Sequence, residues 1–348
     1  MIALHGFLGS AEDWGALRDR LPGLRAVDLP GRTIVAYANL VNAELFLGNV
    51  EEAAAVLAAM EREYPEASLI PQLQVSIALL VGAPDRAEAV ASAIWNDPTQ
   101  PPLQRVFAIR DLAAVAAHRG QLAAARRYME QAIELADRSE PAAAAMQRLM
   151  AGVFEAFLGD RDRAARQYVD WVREGAIDLA SLPPVAVTGV AATIARGGID
   201  RSELEEIYAP LGGVPDAVAD VWALAELRLD DPAAALAVLE ERVEGRGCRT
   251  DHCALLDRAG LSADAGDHDT ALELWERLAR RGAELPPLTG FQDMAAKLWL
   301  GPEYEAAGRT AEAIAAYQRV VEQCADADEE GQVIVRRFQE RIRALGGG

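Results

Sequence analysis

Lysine is almost absent from this chain of 348 residues: Lys297 is its only lysine, and arginine supplies the rest of a Lys+Arg total of 34. A Gly-x-x-x-x-Gly-Lys-[Ser/Thr] phosphate loop is therefore excluded, because Lys297 stands in Ala-Ala-Lys-Leu. A kinase needing a strand-borne lysine and a separate Asp-Phe-Gly is excluded too, and Schiff-base chemistry has one candidate without context. Basic charge falls short of acidic charge, 34 against 54 Asp+Glu, for a net charge of −20. With no arginine stripe interleaved with aromatics, that excess repels phosphate backbones. Nucleic acid is not an expected partner, and basic or neutral protein surfaces suit the chain better.

Cysteine is scarce as well. Three residues without framework spacing point to a reducing, cytoplasmic setting. The longest uncharged runs, Ala67 to Pro84 and Leu179 to Ala195, are broken by proline and by glutamine or threonine, so no membrane span is expected. The start, Met-Ile-Ala-Leu-His-Gly-Phe, lacks a basic region, and no secretion signal is expected. Aromatics make up 6% of the chain against 51% apolar residues, and the difference is largely 70 alanines. Small side chains in that number suit closely packed helices.

Two textures of sequence follow one another. In residues 1–32, Ile2-Ala3-Leu4 reads as a short strand, Ser10 with Asp13 as a capping box, and Leu24 to Leu29 as a second strand stopped by Pro30-Gly31: a minimal βαβ segment. From Thr33 helical periodicity takes over. Glycines between two apolar helices stand at Gly48, Gly82, Gly120, Gly159, Gly197, Gly266 and Gly308, with Asp230-Asp231-Pro232 as a turn in the long gap. Five residues after most of these turns comes an alanine: Ala53, Ala87, Ala125, Ala164, Ala235, Ala271 and Ala313. Four residues further on is a larger side chain, as at Leu57, Met129, Tyr168, Leu239, Trp275 and Tyr317. A small residue lets the second helix lie against the first, and the larger one fills the gap to the next hairpin.

On these residues the chain resembles a tetratricopeptide array, most fully where Leu300-Gly301, Tyr304, Gly308, Ala313, Tyr317 and Val320 fall in step. The fold expected is all-α, a right-handed α-solenoid of about seven or eight helical hairpins over 33–325. The βαβ-like segment 1–32 precedes it, and a capping helix and tail (326–348) close it, with Val333, Val335, Phe338, Ile342 and Leu345 on one face.

The resemblance implies a concave groove lined by the first helix of each hairpin, which places Asn42, Leu45, Phe46, Phe107, Arg110, His118, Gln147, Phe157, Asp257 and Glu305 toward a partner. It implies recognition of a peptide or helical segment of another protein, without a cofactor and without catalysis. Similar degenerate arrays serve as regulatory or sensor regions in bacterial proteins. Members that clamp a carboxylate use several lysines, which this chain does not have.

Leu4-His5-Gly6-Phe7-Leu8-Gly9-Ser10 with Val27-Asp28-Leu29-Pro30-Gly31 resembles the first strand, loop and next strand of α/β-hydrolases. That resemblance implies an oxyanion-hole N–H at Phe7, beside His5 and Gly6. The nucleophile elbow it requires is missing. The nearest string, Gly260-Leu261-Ser262-Ala263-Asp264, ends in Asp, so an inactive remnant is expected. An esterase using Ser262 and a homodimer formed through residues 1–32 are the alternative readings. Cys248, His252 and Cys253 form the weak metal candidate, two thiols and an imidazole lacking a fourth ligand, and no metal is expected. The recurring Trp95, Trp171, Trp222, Trp275 and Trp299 read as packing between hairpins.

Overall fold

In a computed structural model, the structure describes residues 30–178, 201–209, 213–214, 216–245, 255–281 and 289–346. They form sixteen helices and no strand. The helices are α1 (Pro30–Leu47), α2 (Val50–Glu63), α3 (Ile70–Leu80), α4 (Pro84–Trp95), α5 (Pro102–His118), α6 (Leu122–Ser139), α7 (Pro141–Leu158), α8 (Arg161–Arg173), α9 (Arg201–Tyr208), α10 (Asp216–Asp230), α11 (Pro232–Gly245), α12 (Leu255–Asp264), α13 (His268–Leu278), α14 (Thr289–Ala306), α15 (Thr310–Gln323) and α16 (Glu329–Ala344). None is long and apolar enough to cross a membrane. Helices α1/α2, α3/α4, α5/α6, α7/α8, α10/α11, α12/α13 and α14/α15 pack as hairpins.

One turn is used repeatedly. Gly48, Gly82, Gly120, Gly266 and Gly308 all take a φ between 71° and 85°. The next N–H in each case reaches back five residues, Asn49 to Glu44, Ala83 to Ala78, Gln121 to Ala116, Asp267 to Ser262 and Arg309 to Tyr304, at 2.8–2.9 Å. These are Schellman closures, in which glycine supplies the left-handed residue and the following residue stands at the N-cap position of the second helix; of the five only Asp267 caps with its side chain, accepting the Thr270 N–H. Proline also marks several boundaries, standing first in α4, α5, α7 and α11 where no intrahelical N–H is needed. Gly159 departs from the pattern with φ −111°, and Asp160 caps α8 by accepting the Arg163 N–H.

The spacing of small residues is met to the residue: Ala53, Ala87, Ala125, Ala164, Ala235, Ala271 and Ala313 are all fully buried. Leu57, Met129, Tyr168, Leu239, Trp275 and Tyr317 are buried beside them.

One boundary needs correction: Pro30-Gly31, read as the stop after a strand, is the first turn of α1, since proline at a first helical position is as favourable as proline in a turn. The rest of the βαβ-like segment, residues 1–29 with His5, Gly6 and Phe7, lies outside the described residues. The hairpins also make contacts beyond their neighbours in sequence. Helix α14 packs on α3, α5 and α7, and α16 packs on both α15 and α6. A single apolar core consequently runs from Val75 and Leu112 through Phe154 to Phe291, Tyr317 and Phe338. A second one is confined to α1, α2 and α3.

Candidate functional site

The inner face of the first helices is covered. Arg110 is buried, donating from Nε (3.2 Å) and Nη2 (2.8 Å) to Asp111 Oδ1, with its guanidinium 4.9 Å from the half-buried Phe107 ring. Burial pushes the Asp111 carboxyl up, and Arg110 offsets only part of that. One face-length along α5, His118 Nδ1 stands 3.1 Å from Asp293 Oδ2 of α14, at ion-pair distance but without hydrogen-bond alignment. Lys297, one turn after Asp293, donates to Asp293 Oδ2 (2.8 Å) and Gln323 Oε1 (3.0 Å). Gln323 returns a hydrogen bond to the His118 carbonyl at 2.8 Å. The only lysine of the chain thus sits in the joint between α5, α14 and α15.

Leu45 and Gln147 are buried too. Neither amide atom of Gln147 has a hydrogen-bond partner among the described residues. Phe46 is half-buried beneath the Arg281 guanidinium at 3.8 Å, and Asn42, also half-buried, has its Oδ1 unbonded.

Phe157 stands elsewhere, beside α14, where it lines one cavity with Glu305 and a second with Asp257. An open cleft of about 820 Å³ lies between the end of α7, the second half of α14, α15 and α16. Phe157, Trp299, Pro302, Ile334 and Tyr317 give it apolar walls. Trp299 is 39% exposed, and its ring stacks on Trp275 at 6.0 Å and 11°. Pro302 has no N–H to donate to the Leu298 carbonyl, so the helix wall lacks one intrahelical bond here. Glu305 accepts from Tyr317 Oη (3.0 Å) and pairs with Arg341. Arg337 lies over Phe338 at 5.2 Å and has no carboxylate partner among the described residues. A smaller cavity of about 70 Å³, bounded by Phe157, Asp257, Trp275, Trp299 and the Arg228–Asp264 pair, adjoins it.

Sequence reasoning named Phe157 and Glu305 but missed Trp299 and Arg337 as cleft residues and Asp293 as the partner of His118. The Asp293–Lys297 spacing of one turn on a lone lysine was the available signal. Ser262, the serine of the esterase reading, is fully buried in the last turn of α12 with an unbonded hydroxyl. His268 Nδ1 is engaged with Glu303 at 3.0 Å. Cys248, His252 and Cys253 lie outside the described residues.

A family model described as "Tetratricopeptide repeat" matches residues 296–327, which span the second half of α14, α15 and the turn after it. Among solved structures, the crystal structure of the yeast Tom70 is similar at 13% identity, covering 95% of this chain and 97% of that one, with a TM-score of 0.26. No curated protein sequence matches. One tetratricopeptide repeat is thus matched, over residues 296–327, and the described helices elsewhere pair as hairpins.

Proposed function

We propose that the chain is a non-catalytic protein-interaction scaffold that holds a peptide or helical segment of a partner in the outer cleft of Phe157, Trp299 and Ile334. The observation that supports this reading is the exposed Trp299 ring at the edge of an apolar-walled cleft of about 820 Å³. A tryptophan backed by a second ring presents a large rigid surface at little entropic cost, the usual anchor of a small interface. Arg337, Glu305 and Arg341 supply a polar rim. With a net charge of −20, basic residues on the partner beyond the cleft would be attracted and would speed encounter.

A random-peptide selection against the immobilised full-length chain tests it. Recovered peptides are expected to lose at least ten-fold in affinity for Trp299→Ala and for Phe157→Ala while the helical circular dichroism is unchanged. Peptides that bind both variants as they bind the unaltered chain would overturn the assignment.

A further inference from the structure

Beside the outer cleft lies the small cavity of about 70 Å³, walled by α7, α10, α12, α13 and α14. Roughly 10–15 Å³ of such space admits one water, so this cavity admits about five. That is room for a compact organic molecule and too little for a peptide. A gap left by imperfect packing would be lined by aliphatic side chains, but here three aromatic rings and three charged groups meet.

The rings are Phe157, Trp275 and Trp299. The two indoles lie nearly parallel, 6.0 Å between ring centres and 11° between planes, and the buried Trp275 supports the partly exposed Trp299. Indole and phenyl faces attract organic cations, and methylated ammonium groups are their usual ligands.

The charged groups carry both signs. Arg228 of α10 donates from Nε to Asp264 Oδ2 of α12 at 2.6 Å, while its Nη1 and Nη2 have no hydrogen-bond partner among the described residues. The guanidinium lies against Gly260, where a Cβ would stand 3.0 Å from Nη2, so a glycine is what lets it come down onto α12. Asp257, one turn before Gly260, is engaged within the chain, and a carboxylate with about four acceptor sites can take a further donor. The indole N–H of Trp275 is buried and also lacks a partner among the described residues. Unpaired donors of this kind are costly beside a cavity, and an acceptor within it would satisfy them.

We propose that this cavity binds a small zwitterion, an amino acid or its N-methylated form. The ammonium head rests among Phe157, Trp275 and Trp299 with Asp257 as counter-charge, and the carboxylate accepts from the Nη groups of Arg228. A cation alone would leave those donors unmet and stand beside a guanidinium. An anion alone would face Asp257 and Asp264. The site does not depend on a peptide in the outer cleft, although Phe157 and Trp299 wall both.

The probes are glycine, N,N-dimethylglycine and glycine betaine, each titrated calorimetrically into the full-length chain. At least one is expected to bind saturably at millimolar concentration or below, and tetramethylammonium and acetate at least about ten-fold more weakly. Gly260→Ala places a methyl group where the guanidinium lies and favours the helix, so it is expected to keep its circular dichroism yet lose the zwitterion by at least about ten-fold. Arg228→Met should lose as much. Absence of binding by all three zwitterions would overturn the proposal, as would tetramethylammonium or acetate matching the best of them in the unaltered chain. A zwitterion indifferent to both folded variants would place the site elsewhere and overturn it too. Neither Gly260 nor Arg228 lines the outer cleft, so a peptide held there should bind both variants as before, and the two readings fail separately.

Discussion

Gly301 of α14 lies beneath the ring of Tyr317 on α15, so close that a Cβ at position 301 would overlap the ring. Gly152 and Tyr168 repeat the arrangement in α7 and α8, at the same separation in sequence. The glycine removes a side chain from the first helix, and the tyrosine of the second fills the space before bonding outward. Tyr317 Oη donates to Glu305 Oε2 at 3.0 Å, and Tyr168 Oη to the Leu149 carbonyl at 2.6 Å. Burial pushes both phenols up from their ordinary pKa.

In an exposed helix, glycine to alanine gains up to about 1 kcal/mol. At these two positions the overlap reverses the sign. Gly301→Ala and Gly152→Ala are each expected to cost roughly 1–3 kcal/mol of unfolding free energy in urea titration. Adding Tyr317→Leu to Gly301→Ala should recover part of the loss. A stabilising Gly301→Ala would show that the two helices stand further apart than described.

Asp328 caps two helices at once. Its Oδ1 accepts the Gly331 N–H of its own helix at 3.1 Å, while Oδ2 accepts two N–H groups from the first turn of α6. Losing one cap typically costs about 0.5–2 kcal/mol, so Asp328→Ala is expected to cost toward or above the upper end of that range. Hydrogen exchange resolves the two ends: the Ala123 and Ala124 amides should lose protection together with Gly331. Loss at Gly331 alone would mean that the carboxylate does not bridge to α6.

These two contacts differ in how far the sequence disclosed them. A hairpin repeat writes itself into the chain because each close approach needs a small residue, and the seven turn-following alanines and the positive-φ glycines are the record of that demand. The docking of α14 on α3, α5 and α7 leaves no period, since it joins helices far apart in the chain and occurs once. Arg110 and His118 were therefore read as facing a partner. They do lie on the inner face, but α14 covers them. The cleft role of Trp299, which the sequence presents as packing between hairpins, and of Arg337 is hidden for the opposite reason: they belong to a surface made only when α7, α14 and α16 meet, and no single repeat displays it.

Acid should loosen the same joint. Arg126 bridges Glu155 and Glu330, and its hydrogen bond holds the Glu330 carboxyl below its ordinary value of 4.5. A carboxyl depressed in the folded state contributes stability above its unfolded pKa and loses it as pH falls through the folded one. The contribution is thus intact at neutral pH and fades below about pH 4.5. Glu330→Gln is expected to lower the melting temperature at pH 7 and to leave a smaller difference from the unaltered chain at pH 3. An equal difference at both values would mean that the pair does not form.

Cys324 offers a clock for the opening of this region. It is buried against the α5–α6 turn, where a Cβ on Gly120 would stand 2.8 Å from its Sγ, and burial raises its thiol to about 11. At pH 8 roughly one part in a thousand is then thiolate, the reactive form, before steric protection is counted. Alkylation of Cys324 by iodoacetamide, read by mass spectrometry of its own peptide, is expected to be at least about a hundred-fold slower than in urea. Asp328→Ala should speed it without unfolding the chain, because releasing α16 from α6 exposes the turn that shields the sulfur. An unchanged rate in that variant would show that the sulfur is reached only by global unfolding, with α16 making no separate contribution to its shelter.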